Sequence, residues 1–216
     1  LQTLQAGASS FGFVRVIHKE GEPWGQLRGT AIKRDEDGNA ILDDNGLYIA
    51  EQDQYFGSIL PDFTGGLIST LSWRDFVLSV SIDYQKGGKF FSLSEQWGSF
   101  SGLYAETAAT NDNGKNVRDA VADGGGVKVT GVNESGTPVD MYVPAFDYYH
   151  QFYYRNQMAE PFVHDASYIK MREISLSYRV PVQQIFGNSP FEAVQASFIA
   201  RNPWLISTSS DNKHWD

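Results

Sequence analysis

Residues 76–85 alternate at every second position between an apolar set of side chains and a mostly polar set. The apolar set is Phe76, Leu78, Val80, Ile82 and Tyr84, and the other set is Val77, Ser79, Ser81, Asp83 and Gln85. Because successive side chains on a β-strand point to opposite faces, this pattern predicts a strand with one apolar and one polar face. An aromatic residue stands at each end of the apolar face.

Two classes of protein contain strands with this pattern. A transmembrane β-strand has about 9–11 residues, with apolar side chains toward lipid, polar side chains toward the lumen and aromatic rings near both interfaces. A half-buried strand of a soluble β-sandwich shows the same alternation. The periodicity of this one segment is compatible with both.

Further segments of the chain also predict strands. Residues 67–73 alternate as well, and only Arg74 and Asp75 separate them from residues 76–85, which predicts a tight hairpin. Two later segments, 174–180 and 194–201, carry apolar residues at every second position. Shorter candidate strands and turns precede these: strands over Phe11–Ile17 and Gln26–Lys33, and turns at Asp37-Gly38 and Asn45-Gly46.

The connections between the candidate strands differ in length. Residues 74–75 and 181–191 are short connections, whereas residues 97–160 form a long one, rich in Gly, Asn and Asp, that is predicted to be irregular. Outer-membrane barrels have short turns on one side and long extracellular loops on the other. The alternation of short and long connections therefore favours the membrane interpretation over the sandwich.

Aromatic residues cluster near the end of the long connection. They are Tyr148, Tyr149, Phe152, Tyr153 and Tyr154. Such a cluster can stack on sugar rings or cover a protein partner, and these residues are the candidates for partner or substrate contact. The alternative is that the rings pack the loop against itself.

The composition narrows the classes of function. Aromatic residues make up 14 % of the chain and charged residues 20 %, with 21 glycines among 216 residues, a mixture typical of all-β proteins. The formal net charge is −9, which argues against binding to nucleic acid. The chain has no cysteine and therefore no disulfide, no thiol nucleophile and no cysteine-bound metal.

No motif in the sequence predicts catalysis, a metal or a cofactor. The four histidines, His18, His150, His164 and His214, lack the spacing of a metal site. Phe100 stands at the centre of Gly98–Gly102, where a nucleophile elbow requires serine. The acidic residues from Asp35 to Asp44 lack the glycine and glutamate positions of a calcium-binding EF-hand loop. We therefore expect a protein that is not an enzyme.

Several motifs, taken in their order, resemble the late barrel of SusC/RagA-type TonB-linked outer-membrane transporters. The resemblance runs from about Gly21 to Asp216. Its motifs are Gly21-Glu22-Pro23-Trp24-Gly25, Pro61-Asp62-Phe63-Thr64-Gly65-Gly66-Leu67, residues 163–181 and Ala200-Arg201-Asn202-Pro203-Trp204-Leu205. In the last block, Pro203 stands where the family typically has leucine.

The resemblance implies a segment of an antiparallel transmembrane β-barrel, part of a large plugged barrel in the bacterial outer membrane. Family members import oligosaccharides or peptides, a SusD-like surface lipoprotein captures the ligand, and TonB opens the plug. On this interpretation, residues 1–216 are the C-terminal portion of the barrel, and residues 97–160 form an extracellular loop. The plug, the TonB-contacting segment and the final strand of the barrel are expected outside these residues.

The resemblance also gives the polar strand residues a role. Lumen-facing candidates are Asp83, Gln85, Glu173, Arg179, Gln195 and Arg201. In a soluble sheet, the same residues would form a solvated outer face. Two other functions remain alternatives: a soluble glycan-binding β-sandwich with an aromatic loop, and a secreted β-rich hydrolase.

Overall fold

The computed structural model describes residues 3–6, 14–188, 190–191 and 193–210, and the chain divides into two compact units. Of the described residues, unit 1 contains 3–6, 14–60 and 89–164, and unit 2 contains 61–88 and the part from 165 onward. The candidate strand over Phe11–Ile17 is found only in part, because residues 11–13 lie outside the described residues and the strand begins at Arg15.

Strands dominate both units, and the predicted all-β class is confirmed. In chain order the strands are β1 (Thr3–Ala6), β2 (Arg15–Lys19), β3 (Gln26–Ile32), β4 (Ala50–Ser58), β5 (Phe63–Trp73), β6 (Phe76–Lys86), β7 (Lys89–Phe91), β8 (Val127–Val132), β9 (Pro138–Val143), β10 (Val163–Asp165), β11 (Tyr168–Val180) and β12 (Val194–Thr208).

Helices are short. The α-helices are α1 (Leu93–Phe100), α2 (Ala145–His150) and α3 (Val182–Phe186). A π-helical turn follows α2 over Gln151–Arg155, and 3₁₀ turns occupy Ala105–Ala108, Val121–Asp123 and Glu160–Phe162. In the part of the chain that the structure describes, no helix is long and apolar enough to cross a membrane.

Unit 2 is built around a four-stranded antiparallel sheet with the strand order β12-β11-β6-β5. The predicted hairpin is confirmed: Trp73 pairs with Phe76, and the two residues between them form the turn. Arg74 adopts a φ of 53° there, the left-handed conformation that tight hairpin turns require. Among the described strands, β5 and β12 each have a single neighbour, so this sheet is open and does not close into a barrel.

Unit 1 contains a four-stranded sheet in the order β1-β2-β3-β4, the hairpin β8-β9 and the pair β7-β10. Among its described residues, three clusters of buried hydrophobic side chains are centred on Leu42, Leu27 and Met158. Polar groups also tie distant segments together. The fully buried Gln151 accepts a hydrogen bond from the backbone N–H of Tyr48 at 2.8 Å through its side-chain oxygen. These contacts give unit 1 a core of its own.

Residues 97–160 are ordered and belong to unit 1, which differs from the expectation of an irregular loop. The hairpin β8-β9 has alternating apolar residues, and Val129 and Val143 are each 1 % exposed. Its turn is closed by Asn133, whose side-chain oxygen accepts the backbone N–H groups of Ser135 and Thr137. The many glycines and asparagines of this stretch therefore form tight turns between short elements, not one long flexible loop.

Candidate functional site

The pairing of unit 2 gathers most of the apolar residues of its four strands on one face. Val80 on β6 pairs with Ile174 on β11 and with Ser69 on β5, and Leu78 pairs with Leu176 and Leu71. On β12, Phe198 pairs with Leu176. Many of these side chains are exposed: Leu67 by 61 %, Leu71 by 65 % and Phe198 by 70 %. One face of the sheet is therefore a continuous and largely exposed apolar surface, which we call the apolar face.

Aromatic rings border the apolar face at both ends of the strands. At the end nearest the β5-β6 turn, Trp73 stacks on Phe76 with ring centroids 6.3 Å apart, and Phe76 stacks on Tyr178 at 4.6 Å. At the opposite end of the hairpin, Phe63 meets Tyr84 edge to face at 5.9 Å. Bands of aromatic residues at both borders of an outward apolar surface are typical of membrane strands.

The opposite face of the sheet is polar, and the strand register places all six lumen-facing candidates on it. They are Asp83, Gln85, Glu173, Arg179, Gln195 and Arg201. Arg201 and Glu173 pair across β12 and β11 with an Nε–Oε2 distance of 3.3 Å. This polar face also carries apolar exceptions, such as Ile68 and Ile199. Whether the face lines a lumen stays a prediction.

Sequence reasoning missed Arg172 and Tyr168, which belong to the polar network. Arg172 lies in a β-bulge, because Met171 pairs with Ile82 while Glu173 pairs with the next residue, Ser81. Its guanidinium lies 2.7 Å from the Asp83 carboxylate, and the Tyr168 hydroxyl donates to the same oxygen at 3.2 Å. The sequence contains one sign of this bulge, which is that the alternation of apolar and polar residues breaks near Met171. An extra residue in a strand moves the following side chains to the opposite face.

The aromatic cluster at the end of residues 97–160 divides into buried and exposed members. Tyr148 and Phe152 lie 5.5 Å apart edge to face and pack into the interior of unit 1, where Phe152 is only 6 % exposed. Burial, and then the neighbouring Tyr48, raise the pKa of the Tyr148 hydroxyl well above its ordinary value. Phe152 is therefore a core residue and is not available for contact with a partner.

The remaining members of the cluster lie nearer the surface. The Tyr149 hydroxyl donates to the backbone oxygen of Glu106 at 2.9 Å, and burial raises the pKa of this hydroxyl. Tyr153 packs against Trp97 and Phe100, with ring centroids 5.9 and 5.3 Å away. Tyr154 is 65 % exposed and meets Phe100 edge to face at 5.0 Å. Tyr154 is thus the member best placed to meet a partner or solute.

The histidines of the described residues are engaged in separate local contacts. His18 stacks on Trp24 at 3.7 Å, and His150 stacks on Phe146 at 3.8 Å. The buried His164 pairs with the Glu95 carboxylate. Among the described residues, no group of three or more His, Asp or Glu side chains lies close enough to hold a metal ion. His214 lies outside the described residues.

Comparison with known proteins gives a likeness in structure only. No protein-family model matches the chain, and no curated protein matches it. A chain of the RagAB peptide importer in its closed-closed state is similar with a TM-score of 0.54 and 14 % identity, over 97 % of this chain and 22 % of that chain. The open-open state gives a TM-score of 0.52 and 13 % identity, over 95 % and 21 %.

The low sequence identity and the small share of the importer chains that is covered limit the conclusion to the fold. At 13–14 % identity the two structures support the fold of the chain and not its function. This chain spans only 21–22 % of the importer chains that it matches. The β-rich architecture is thus one that occurs within chains of a peptide importer.

Proposed function

We propose that this chain is a segment of a SusC/RagA-type, TonB-dependent importer of the bacterial outer membrane, and that it acts in transport and not in catalysis. In this role the apolar face of unit 2 contacts lipid, and its polar face lines the barrel interior. The solutes are oligosaccharides or peptides, and a SusD-like lipoprotein and TonB are the partners of the whole protein.

The observation that carries this proposal is the two-faced sheet of unit 2. Its strands combine an exposed apolar face, aromatic borders at both ends and a hydrogen-bonded polar face. A membrane barrel needs this distribution because lipid cannot hydrogen-bond to polar groups. The likeness to RagAB chains is consistent with a role in nutrient import.

The soluble glycan-binding sandwich is less well supported. In a β-sandwich, a second sheet packs over the apolar face of the first at about 10 Å. The described residues of unit 2 form one sheet, and Leu71 on its apolar face is 65 % exposed. An apolar surface of this extent left in water would drive association, so lipid is the more favourable environment.

Because these 216 residues contain no cysteine, site-directed spin labelling can test the proposal directly. Leu71→Cys places a label on the apolar face, and the neighbouring Thr70→Cys places one on the polar face. In the full-length protein in outer-membrane vesicles, we expect the Leu71 label to be accessible to oxygen and the Thr70 label to a water-soluble nickel complex. Equal accessibility at the two positions would contradict the proposed orientation.

Capture of the partner is tested at the exposed end of the aromatic cluster. Removing all of residues 97–160 is unsuitable, because Val129, Phe152 and Met158 belong to the core of unit 1. Tyr154→Ala changes a 65 % exposed side chain and should weaken co-purification of the lipoprotein or uptake of solute, while membrane insertion is unchanged. Leu103→Ala, at a position 79 % exposed, is the matched control. If Tyr154→Ala and the control behave alike, Tyr154 has no role in the interface.

A further inference from the structure

Unit 1 contains a cavity of about 550 Å³ that has no assigned role. Its walls come from the end of α1, the 3₁₀ turn Ala105–Ala108, residues 118–121 and α2. Small-molecule sites usually have volumes of about 300–1,000 Å³, mostly apolar walls and a few fixed polar groups. The cavity has the size of such a site.

Aromatic rings form much of the cavity wall. Phe146 is 69 % exposed and stacks on His150 at 3.8 Å, while Phe100 meets His150 edge to face at 4.7 Å. Two polar atoms of the wall are already engaged: His150 Nδ1 lies 2.8 Å from the Phe146 carbonyl oxygen, and the Tyr149 hydroxyl donates to the backbone oxygen of Glu106. The rings therefore offer a ligand apolar surface more than hydrogen bonds.

Arg118 supplies a fixed positive charge in the same cavity. Its guanidinium donates three hydrogen bonds of 2.7 Å, to the Thr107 carbonyl oxygen, the Thr107 hydroxyl and the Gly102 carbonyl oxygen. These acceptors are neutral, so they hold the guanidinium in place without neutralising its charge. A guanidinium held in a fixed orientation favours a carboxylate, which it can bind through charge-assisted hydrogen bonds.

We infer that this cavity binds the C-terminal residue of a peptide, with its carboxylate on Arg118 and its apolar side chain against Phe100 and Phe146. The inference rests on the proposed function and narrows its solutes to peptides with a free carboxyl end. A neutral oligosaccharide has no group to match the charge of Arg118. Asp119 also lines the cavity, and its carboxylate offsets part of the charge of Arg118, so a ligand with a single carboxylate fits better than one with several negative charges.

The test measures binding of two tripeptides to the full-length importer by isothermal titration calorimetry. Gly-Gly-Phe carries the free carboxylate, and its C-terminal amide lacks only that charge. We expect the amide to bind about tenfold more weakly, because a charged hydrogen bond contributes roughly that factor. Arg118→Gln should weaken Gly-Gly-Phe to the level of the amide, and Arg118→Lys should restore part of the difference.

Matched variants separate binding from folding. Arg155→Gln removes the same charge from an exposed residue that does not line the cavity, and it should leave binding unchanged. Phe146→Ala removes an exposed ring and should weaken both tripeptides. If Arg118→Gln fails to fold, the comparison of acid and amide on the unmodified protein, together with Phe146→Ala, decides the inference.

Three outcomes would overturn the inference: equal binding of acid and amide, no effect of Arg118→Gln in a folded protein, and no effect of Phe146→Ala. Binding of neutral oligosaccharides in place of the tripeptides would also overturn it while leaving import intact. The proposed function fails separately, through the spin-label accessibilities of Leu71→Cys and Thr70→Cys. If the tripeptides bind in a carboxylate-dependent way but the two spin labels are equally accessible, the inferred peptide site is supported and the proposed importer function is contradicted.

Discussion

Units 1 and 2 use hydrophobic residues in opposite ways. Unit 1 turns them inward: Leu42 and Val129 are 1 % exposed, and Met158 is fully buried. In unit 2, no described strand residue is buried, and the apolar face of the sheet is largely exposed. One chain therefore combines a unit that buries its own hydrophobic core with a unit whose strands leave an apolar face exposed.

The two units also differ in the polar groups that stabilise them. Unit 1 joins distant segments through buried side chains such as Gln151 and Gln96, which hydrogen-bond to backbone groups. Unit 2 uses adjacent strands, as in the pairs Arg201–Glu173 and Arg172–Asp83. The stability of unit 1 should therefore be most sensitive to substitutions of its buried residues. The stability of unit 2 should be most sensitive to whether lipid or water contacts its apolar face.

The largest expected effect comes from removing lipid and the neighbouring strands. Residues 1–216 expressed alone in buffer should not give a soluble monomer with cooperative unfolding, because unit 2 exposes its apolar face and, among the described strands, its edge strands β5 and β12 have one neighbour each. Light scattering coupled to size-exclusion chromatography measures the state of association. A monodisperse monomer with a sharp two-state melt would refute this contrast between the units.

The next effect concerns the interior of unit 1. Leu42→Ala should lower the free energy of unfolding by about 2–5 kcal/mol, because it leaves a cavity among Leu47, Val129 and Val143. Leu103→Ala, at a position 79 % exposed, should change it by less than about 0.5 kcal/mol. Chemical denaturation of the full-length protein, monitored by hydrogen exchange of the amides in unit 1, measures the change in the free energy of unfolding for both variants. Equal effects would show that unit 1 has no specific core.

A charge on the apolar face of unit 2 should have a similar or slightly smaller effect. Val80→Arg should destabilise the full-length protein by about 2–4 kcal/mol near the bilayer midplane, while Ser81→Arg on the opposite face should cost much less. Folding into lipid vesicles at different denaturant concentrations measures the difference. If both variants are tolerated equally, the two faces of β6 do not differ in environment.

The smallest expected effect is a pH dependence of the hairpin β8-β9. The Tyr142 hydroxyl and then Lys128, whose Nζ lies 2.9 Å away, hold the pKa of Asp112 below its ordinary value of 3.8. A lowered folded-state pKa means that this stabilisation is present above the unfolded value and is lost as the pH falls through the folded value. Asp112→Asn should therefore lower the thermal midpoint slightly at neutral pH, and the difference should disappear in acid. A difference that persists in acid would point to another cause.

The pattern of the sequence was enough to predict the strands and faces of unit 2. The alternation of residues 76–85 and the two-residue turn at Arg74 and Asp75 predict the hairpin and the positions of Asp83 and Gln85. The alternation of residues 174–180 and 194–201 predicts the other polar-face residues in the same way. Side-chain direction along a strand depends only on position, and local reasoning succeeds for this reason. Local spacing did not predict the bulge at Arg172, because the position of a bulge depends on how β11 pairs with β6.

Tertiary structure alone decided the arrangement of unit 1. The local sequence does not distinguish the buried Phe152 from the exposed Tyr154. Phe152 is buried because it packs against Met158 and Phe162, whereas Tyr154 is exposed to solvent. The contacts of Phe100 with His150, and of Tyr149 with Glu106, join residues far apart in the chain. The sequence thus determined which side chains share a face of a strand, whereas long-range packing decided which aromatic rings form the core and which surround a cavity.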